Sequence, residues 1–201
     1  MPKKDVTDHD SFVRKVNELG FEGKYTFMEP YQKTGVKIDI IHNDCGKVNH
    51  VDPNHFTYYL RKNGAFCQHC TMSSREKAVY DFLQTNGVPF EHQSRWEGLV
   101  HERHLPFDFT LFENEEMDDF LCHIEIDGEQ HERVVGHMGG EQGFRERKYR
   151  DQLKDTYCEE QEIKLVRFHH SIPHNEVKRF IEEEILTRNI DQYPRSVIRV
   201  Q

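Results

Sequence analysis

The sequence predicts an α/β protein in which a mixed β-sheet flanked by helices follows a small cysteine-bearing domain. Three observations carry this prediction. Cys122, Ile124 and Ile126 alternate with His123, Glu125 and Asp127, the period of a strand with two unlike faces. Val79, Tyr80 and Leu83, and later Val177, Phe180, Ile181 and Ile185, recur at helical spacing. Three of the five cysteines, Cys45, Cys67 and Cys70, gather in a stretch that ends before a new pattern begins at Ser73.

Taken in order, Asp8 to Leu19 sets Phe12, Val16 and Leu19 on one helical face, with Gly20 as its stop. Val36, Ile38 and Ile40 alternate with Lys37 and Asp39 in a short strand that leads into His42 and Cys45. Asn54 to Lys62 is a short helix closed by Asn63-Gly64, and Cys67-Gln-His-Cys70 follows at once. A new pattern begins at Ser73, which places a first domain over residues 1–72, a second over 73–190 and a C-terminal tail over 191–201. The second domain opens with a helix over Ser74–Thr85, a turn at Asn86-Gly87 and an extended piece to about Trp96. A strand through Phe109–Phe112, an acidic turn and the strand Leu121–Asp127 come next. A loop with Gly136, Gly139, Gly140 and Gly143 leads into a basic helix from about Phe144 to Tyr157. The apolar strand Ile163–Phe168 and a helix from about His174 to Thr187 complete an α-β-β-α-β-α order.

At 201 residues the chain can hold one medium domain or two small ones. Mean hydropathy is low at −0.87, yet 11% aromatic residues and clear periodicity indicate a folded protein. No apolar run approaches the ~20 residues of a membrane helix. The start, Met-Pro-Lys-Lys-Asp, carries no apolar signal core, so the expected location is the cytoplasm. The net charge of −9 is uneven, with 10 Lys/Arg against 9 Asp/Glu in residues 1–72 and 17 against 27 in residues 73–201. Many of the later acids, in Glu113–Asp119 and Glu182–Glu184, are ordinary solvated surface. Overall charge therefore neither supports nor excludes a nucleic-acid partner.

His42-x2-Cys45 and Cys67-x2-Cys70 are two knuckles separated by 21 residues. Ligands two residues apart in a tight turn can reach one ion, and thiolates with an imidazole suit tetrahedral zinc. An odd number of cysteines in a reducing compartment favours metal over disulfides. His50, His55 and His69 are alternatives to His42. Base deaminases use a catalytic zinc with similar ligand separation, but here Asp44 stands in place of the expected Glu and Cys45 supplies a fourth ligand. Four protein ligands close the shell, so this zinc is expected to be structural.

The second cluster is acidic. Asp108 lies between Phe107 and Phe109 and points away from both, while Glu125 and Asp127 share one strand face, with Glu129 and His131 just beyond. Carboxylates on adjoining strands repel one another unless a cation lies between them. Glu76 lies in line with Val79, Tyr80 and Leu83, although Ser73-x-x-Glu76 is also a capping box. Arg145, Arg147, Lys148, Arg150 and Lys154 put five cations into ten residues of the basic helix. Arg147, Lys148, Asp151, Lys154 and Asp155 share one side of it, and Tyr149, Leu153 and Tyr157 face inward. Such a run is usually a solvated face; beside a carboxylate site it is also where phosphate contacts would be wanted.

Residues 73–170 resemble the PD-(D/E)XK nuclease superfamily, and within it the very-short-patch-repair endonucleases and the related phage homing endonucleases of the Glu-Asp-x-His-Asp group. The matching motifs are Glu76, Pro106-Phe-Asp108-Phe, Ile124-Glu-Ile-Asp127-Gly-Glu-Gln-His131, Arg150-Asp151-x-x-Lys154 and Leu165-Val-Arg167-Phe, over about half the chain. The N-terminal part is similar to the zinc-ribbon modules attached to such phage endonucleases. The resemblance implies a restriction-endonuclease-like fold and a Mg²⁺-dependent cut or nick in double-stranded DNA, with Mn²⁺ able to substitute and a homodimer left open. It implies Asp108 as the principal Mg²⁺ ligand and His131 as general base. Glu76 and Asp151 would orient water, metal or phosphate, and Glu125 and Asp127 complete the catalytic set, with Asp127 as ligand or support. No Lys follows Glu125 or Asp127 in the superfamily's usual slot, a departure shared by the repair branch. Two other readings stand beside it: a non-catalytic, zinc-dependent DNA-binding protein on the same fold, and a zinc hydrolase or deaminase working through the N-terminal cluster.

Overall fold

The computed structural model describes residues 8–129, 134 and 139–201. The chain divides between Met72 and Ser73 into two compact units, together a mixed α/β protein. No helix among the described residues is long and apolar enough to cross a membrane.

In the first unit, helix α1 (His9–Val16) is capped by Asp8, whose carboxylate accepts the Ser11 N–H at 2.8 Å. A wider turn over Asn17–Phe21 follows and contains Gly20 at φ 89°. Strands β1 (Tyr25–Phe27), β2 (Ile38–His42) and β3 (Lys47–Val51) form an antiparallel sheet in that order. Helix α2 (Pro53–Asn63) is capped by Asp52 and closed by Gly64 at φ 70°, a left-handed conformation that favours glycine. A single turn, α3 (Gln68–Thr71), ends the unit. Phe12, Val16, Ile38, Ile40, Phe56, Leu60 and Phe66 are its core. The sequence does not reveal β3, because its alternation is inverted: Val48 is exposed and Asn49 is buried.

The second unit holds a five-stranded mixed sheet in the order β4 (Phe90–Val100), β5 (His104–Phe112), β6 (Phe120–Ile126), β7 (Leu165–Phe168) and β8 (Val197–Val200). The first three strands are antiparallel; β6, β7 and β8 are parallel. Helices α4 (Ser74–Thr85) and α6 (His174–Phe180), the latter continued by a wider turn to Ile185, bury Val79, Leu83, Val177, Ile181 and Ile185 against Phe109, Leu111, Ile124, Val166 and Phe168. Helix α5 (Gly140–Glu160) contributes Leu153, Tyr157 and Cys158 to a separate cluster with Leu105, Phe107, Leu165 and Val197.

Three expectations are corrected. The extended piece before Trp96 is the long strand β4, paired with β5. Residues 191–201 are not a tail: Val197 and Ile198 are buried and β8 pairs in register with β7, a strand too short for its alternation to stand out. The basic helix starts at Gly140, one residue after Gly139 takes φ 87° and caps it, so Gly143 lies inside the helix.

Candidate functional site

In the first unit, β2 delivers His42 to a tight turn in which the Cys45 and Gly46 N–H groups both approach the His42 carbonyl, at 3.2 and 2.8 Å. Opposite, Cys67 caps α3 and its sulfur accepts the Cys70 N–H at 3.4 Å. His42 Nδ1 lies 3.2 Å from Cys45 Sγ and 3.6 Å from Cys70 Sγ, and the Cys45 and Cys67 sulfurs are 3.7 Å apart. All four donor atoms lie within 4.8 Å of one another. A tetrahedral shell with Zn–S near 2.3 Å and Zn–N near 2.0 Å separates its ligands by about 3.5–3.8 Å, so this donor set could bind zinc. His42 Nε2 faces Asp44 at 3.8 Å and the Asn49 amide reaches Cys67 Sγ at 3.8 Å, the outer contacts that orient metal ligands. Against the burial that opposes it, hydrogen bonds from Lys47, His42 and the other thiols bring Cys45 down to about 7. Burial and the same thiols push Cys70 up to about 12. A soft divalent cation relieves that conflict. Of the alternatives to His42, His50 pairs with Asp39 at 2.7 Å, His55 packs edge-on against Tyr59, and His69 is not among the converging donors.

The second unit contains an acidic cleft. Regular pairing of β5 with β6 runs no further than Phe109 opposite Ile124, and side chains take over from the ladder there. The Ile126 N–H donates to Asp108 Oδ2 at 2.8 Å, and the Asp108 N–H donates to Glu125 Oε1 at 3.2 Å. Gln93, at φ 56° in the middle of β4, donates to Asp108 Oδ1 at 3.1 Å. Lys154 Nζ, from α5, donates to Glu125 Oε1 at 2.7 Å. These groups lie in a cleft of about 380 Å³ whose walls include Glu76, Asp127, Asp151, Arg147 and Arg150. Burial first, then the charge of Glu125, push the Asp108 carboxyl up to about 8 against the pull of Lys154 and the Ile126 N–H. A carboxyl held in this way gains a full charge when a cation arrives.

Arg167 on β7 stands in register with Glu125, is only 4% exposed and lines a neighbouring cleft with Asp127, Asp151 and Asp155. Its guanidinium lies 2.9 Å from Asp127, 2.7 Å from Asp155, 3.8 Å from Asp151 and 3.9 Å from Glu125. Burial alone would lower its pKa, but the four carboxylates hold it above its ordinary value. The acids are thus gathered around Lys154 and Arg167. Among the described residues, the only group of three or more such ligands with every donor atom within 4.8 Å is the His42–Cys70 set.

The sequence-predicted residues divide between roles that were expected and roles that were not, and the Ser73–Glu76 capping box is among the expected ones. Glu76 completes a capping box, its carboxylate accepting the Ser73 N–H at 2.8 Å and its own N–H reaching the Ser73 hydroxyl at 3.2 Å, while it also lines the cleft. His123 is buried, not part of a polar face: it stacks on Phe107 with ring centroids 3.7 Å apart and bonds Thr110 Oγ1 at 2.8 Å, and Thr110 in turn bonds Ser94. Burial, with Lys154 nearby, pushes His123 down to about 3, so it stays neutral. Phe107 and Phe109, expected to share a face, pack in different clusters where the ladder breaks. Lys154 is not a surface cation, its side chain being 11% exposed against Glu125. Arg147 and Arg150 line the cleft. Lys148 lies over the Phe144 ring at 4.9 Å and lines a neighbouring cleft with His169, His170 and Arg199. Arg145 pairs with Glu141 at 3.1 Å on the surface. Tyr149 is 50% exposed, because its neighbour at that turn is His101 beyond the end of β4, not the sheet. Glu129 is exposed, and His131 lies outside the described residues.

Sequence reasoning missed Gln93 and Arg75, and named Arg167 only within the motif Leu165-Val-Arg167-Phe without giving it a role. Arg167 had a signal, a lone charge in the apolar strand Leu165-Val-Arg-Phe. Arg75 donates to the carbonyls of His170, His169 and Ile172 at 2.7, 3.1 and 2.6 Å, which ties the start of α4 to the chain leaving β7. Comparison with protein families, curated proteins and solved structures gives no match for this chain.

Proposed function

We propose that the protein is a metal-dependent endonuclease that hydrolyses phosphodiester bonds in double-stranded DNA. In this reading the unit from residue 73 is a restriction-endonuclease-like domain of the PD-(D/E)XK, very-short-patch-repair-like or phage homing type, and the first unit is a zinc-ribbon-like DNA-binding module with zinc on His42, Cys45, Cys67 and Cys70. The observation that carries it is the break in the β5–β6 ladder, which sets Asp108 and Glu125 beside the Lys154 ammonium in a cleft walled by two arginines.

Two facing carboxylates, one with a raised pKa, are a donor set suited to a hard divalent cation that keeps several of its waters. When bound, Mg²⁺ or Mn²⁺ would neutralise charge on the phosphate and make water more acidic. Asp108 would hold that ion, with Glu125 beside it. Arg147 and Arg150, which line the cleft, would take phosphate oxygens, and Lys154, anchored on Glu125, would add positive charge there. Glu76 and Asp151, which line the cleft, would orient water. Proton acceptance is assigned to His131 on the strength of the resemblance alone.

The test is cleavage of supercoiled plasmid by the zinc-loaded protein. Nicked or linear product is expected with added Mg²⁺ or Mn²⁺, none without it, and none from Asp108→Asn with either ion. Cleavage by Asp108→Asn at the wild-type rate would overturn the reading. Activity that needs only the bound zinc would favour a hydrolase acting through the first unit.

A further inference from the structure

We infer that Arg167 is a built-in cation that takes the place of a divalent ion among Asp127, Asp151 and Asp155, so that the acidic floor accepts at most one exchangeable metal, at Asp108 and Glu125. The identity of that one exchangeable ion rests on the nuclease reading above; the role of Arg167 rests on its own geometry.

All three guanidinium nitrogens are committed. One terminal nitrogen meets Asp127 at 2.9 Å, the internal nitrogen meets Asp155 at 2.7 Å, and the other terminal nitrogen donates to the Asp151 carbonyl at 3.3 Å. The acids arrive from two directions: Glu125 and Asp127 at the end of β6, Asp151 and Asp155 from successive turns of α5. Four carboxylates converging at this depth are mutually repulsive unless a cation lies among them. Arg167 meets that need with a charge that is not lost at working pH and a planar fork of fixed direction. Arg199 gives Asp155 a second guanidinium partner.

In two-metal hydrolases a pair of ions about 3.5–4 Å apart shares bridging carboxylates. Here Asp127, which could serve as such a bridge, is turned onto Arg167. The positive charge is supplied by the chain and cannot be washed out. Arg167 acts through these carboxylates and is therefore a positioning residue. Its loss should turn a fixed cation position into an exchangeable one.

The experiment counts Mn²⁺ bound to the full-length, zinc-loaded protein by electron paramagnetic resonance, with melting temperature followed in parallel. Wild type is expected to bind one Mn²⁺. Asp108→Asn should lose it, whereas Asp127→Asn should keep both stoichiometry and affinity. Arg167→Gln should bind one Mn²⁺ more than wild type, and Mn²⁺ should raise its melting temperature by more than it raises that of wild type. Two ions on wild type, loss of the ion in Asp127→Asn, or a folded Arg167→Gln with no added ion would each overturn the inference. If Arg167→Gln does not fold even in Mn²⁺, the wild-type and Asp127→Asn titrations decide alone. A wild type that binds no Mn²⁺ counts against the nuclease reading, and the added ion in Arg167→Gln still decides the role of Arg167.

Discussion

Asp108 on β5 and His123 on β6 respond to pH with opposite sign. Asp108 has a folded-state pKa raised from 3.8 to about 8. Between those values the unfolded chain has released a proton that the folded chain keeps, so this residue makes stability fall as pH rises through the window. Without added divalent ions, Asp108→Asn is therefore expected to melt above wild type at pH 8, with the gap closing towards pH 4. Thermal melts across that range check it, and a gap that does not change with pH would contradict the assigned burial. His123 has its pKa lowered from 6.5 to about 3, so the unfolded chain takes up a proton that the folded chain refuses, and stability is lost as pH falls through that window. His123→Phe keeps an aromatic ring against Phe107 and removes the titrating group. Its melting temperature relative to wild type should rise steadily as pH drops below about 6.5, and a constant difference would argue against a buried neutral imidazole.

At the scale of the element, α5 separates two kinds of cation. Arg147 and Arg150 line the cleft, whereas Lys154 is spent on Glu125. On the nuclease reading, replacing Arg147 and Arg150 together by Gln should lower the salt slope of DNA binding by about two, one for each proposed phosphate contact. Lys154→Gln should leave the slope unchanged and reduce cleavage; filter-binding titrations at several salt concentrations separate the two cases. Much of this helix is legible in the sequence, because Leu153 and Tyr157 follow the 3.6-residue period. Its individual contacts are not. Tyr149 continues the same period yet meets a loop, and the partner of Lys154 comes from a strand 29 residues away in sequence. The converging His42, Cys45, Cys67 and Cys70 could be foreseen because those residue types at that spacing have few other uses. Asp108, Glu125, Lys154 and Arg167 could be picked out as unusual, but which of them meet, and that Gln93 reaches Asp108, is decided by tertiary packing that no local pattern encodes. Strands β3 and β8 escape notice for simpler reasons, an inverted alternation in one and a length of four residues in the other.

For the whole molecule, the division at Met72 and Ser73 gives each unit its own hydrophobic core. The first core is small. Structural zinc contributes on the order of 10 kcal/mol in zinc-finger peptides, so such a unit would depend on it heavily. On the proposed zinc-ribbon reading, Cys67→Ser should release zinc, expose residues before about 72 to protease while leaving a resistant fragment from residue 73 onward, and weaken DNA binding. Full zinc content with wild-type melting in that variant would remove the metal from this account. The edge strand β8 has a consequence for the order in which the chain becomes competent. Leu165 and Arg167 pair with Val197 and Arg199 in the finished sheet. During synthesis Cys70, the last of the four converging donors, emerges roughly 130 residues ahead of β8, an interval on the order of ten seconds at ~5–20 residues per second. A nascent chain can thus assemble its first unit while the strand carrying Arg167 still lacks its outer neighbour. A ribosome stalled before residue 197 would display a folded first unit tethered to a sheet in which the strand holding the guanidinium among its acids still has an open edge.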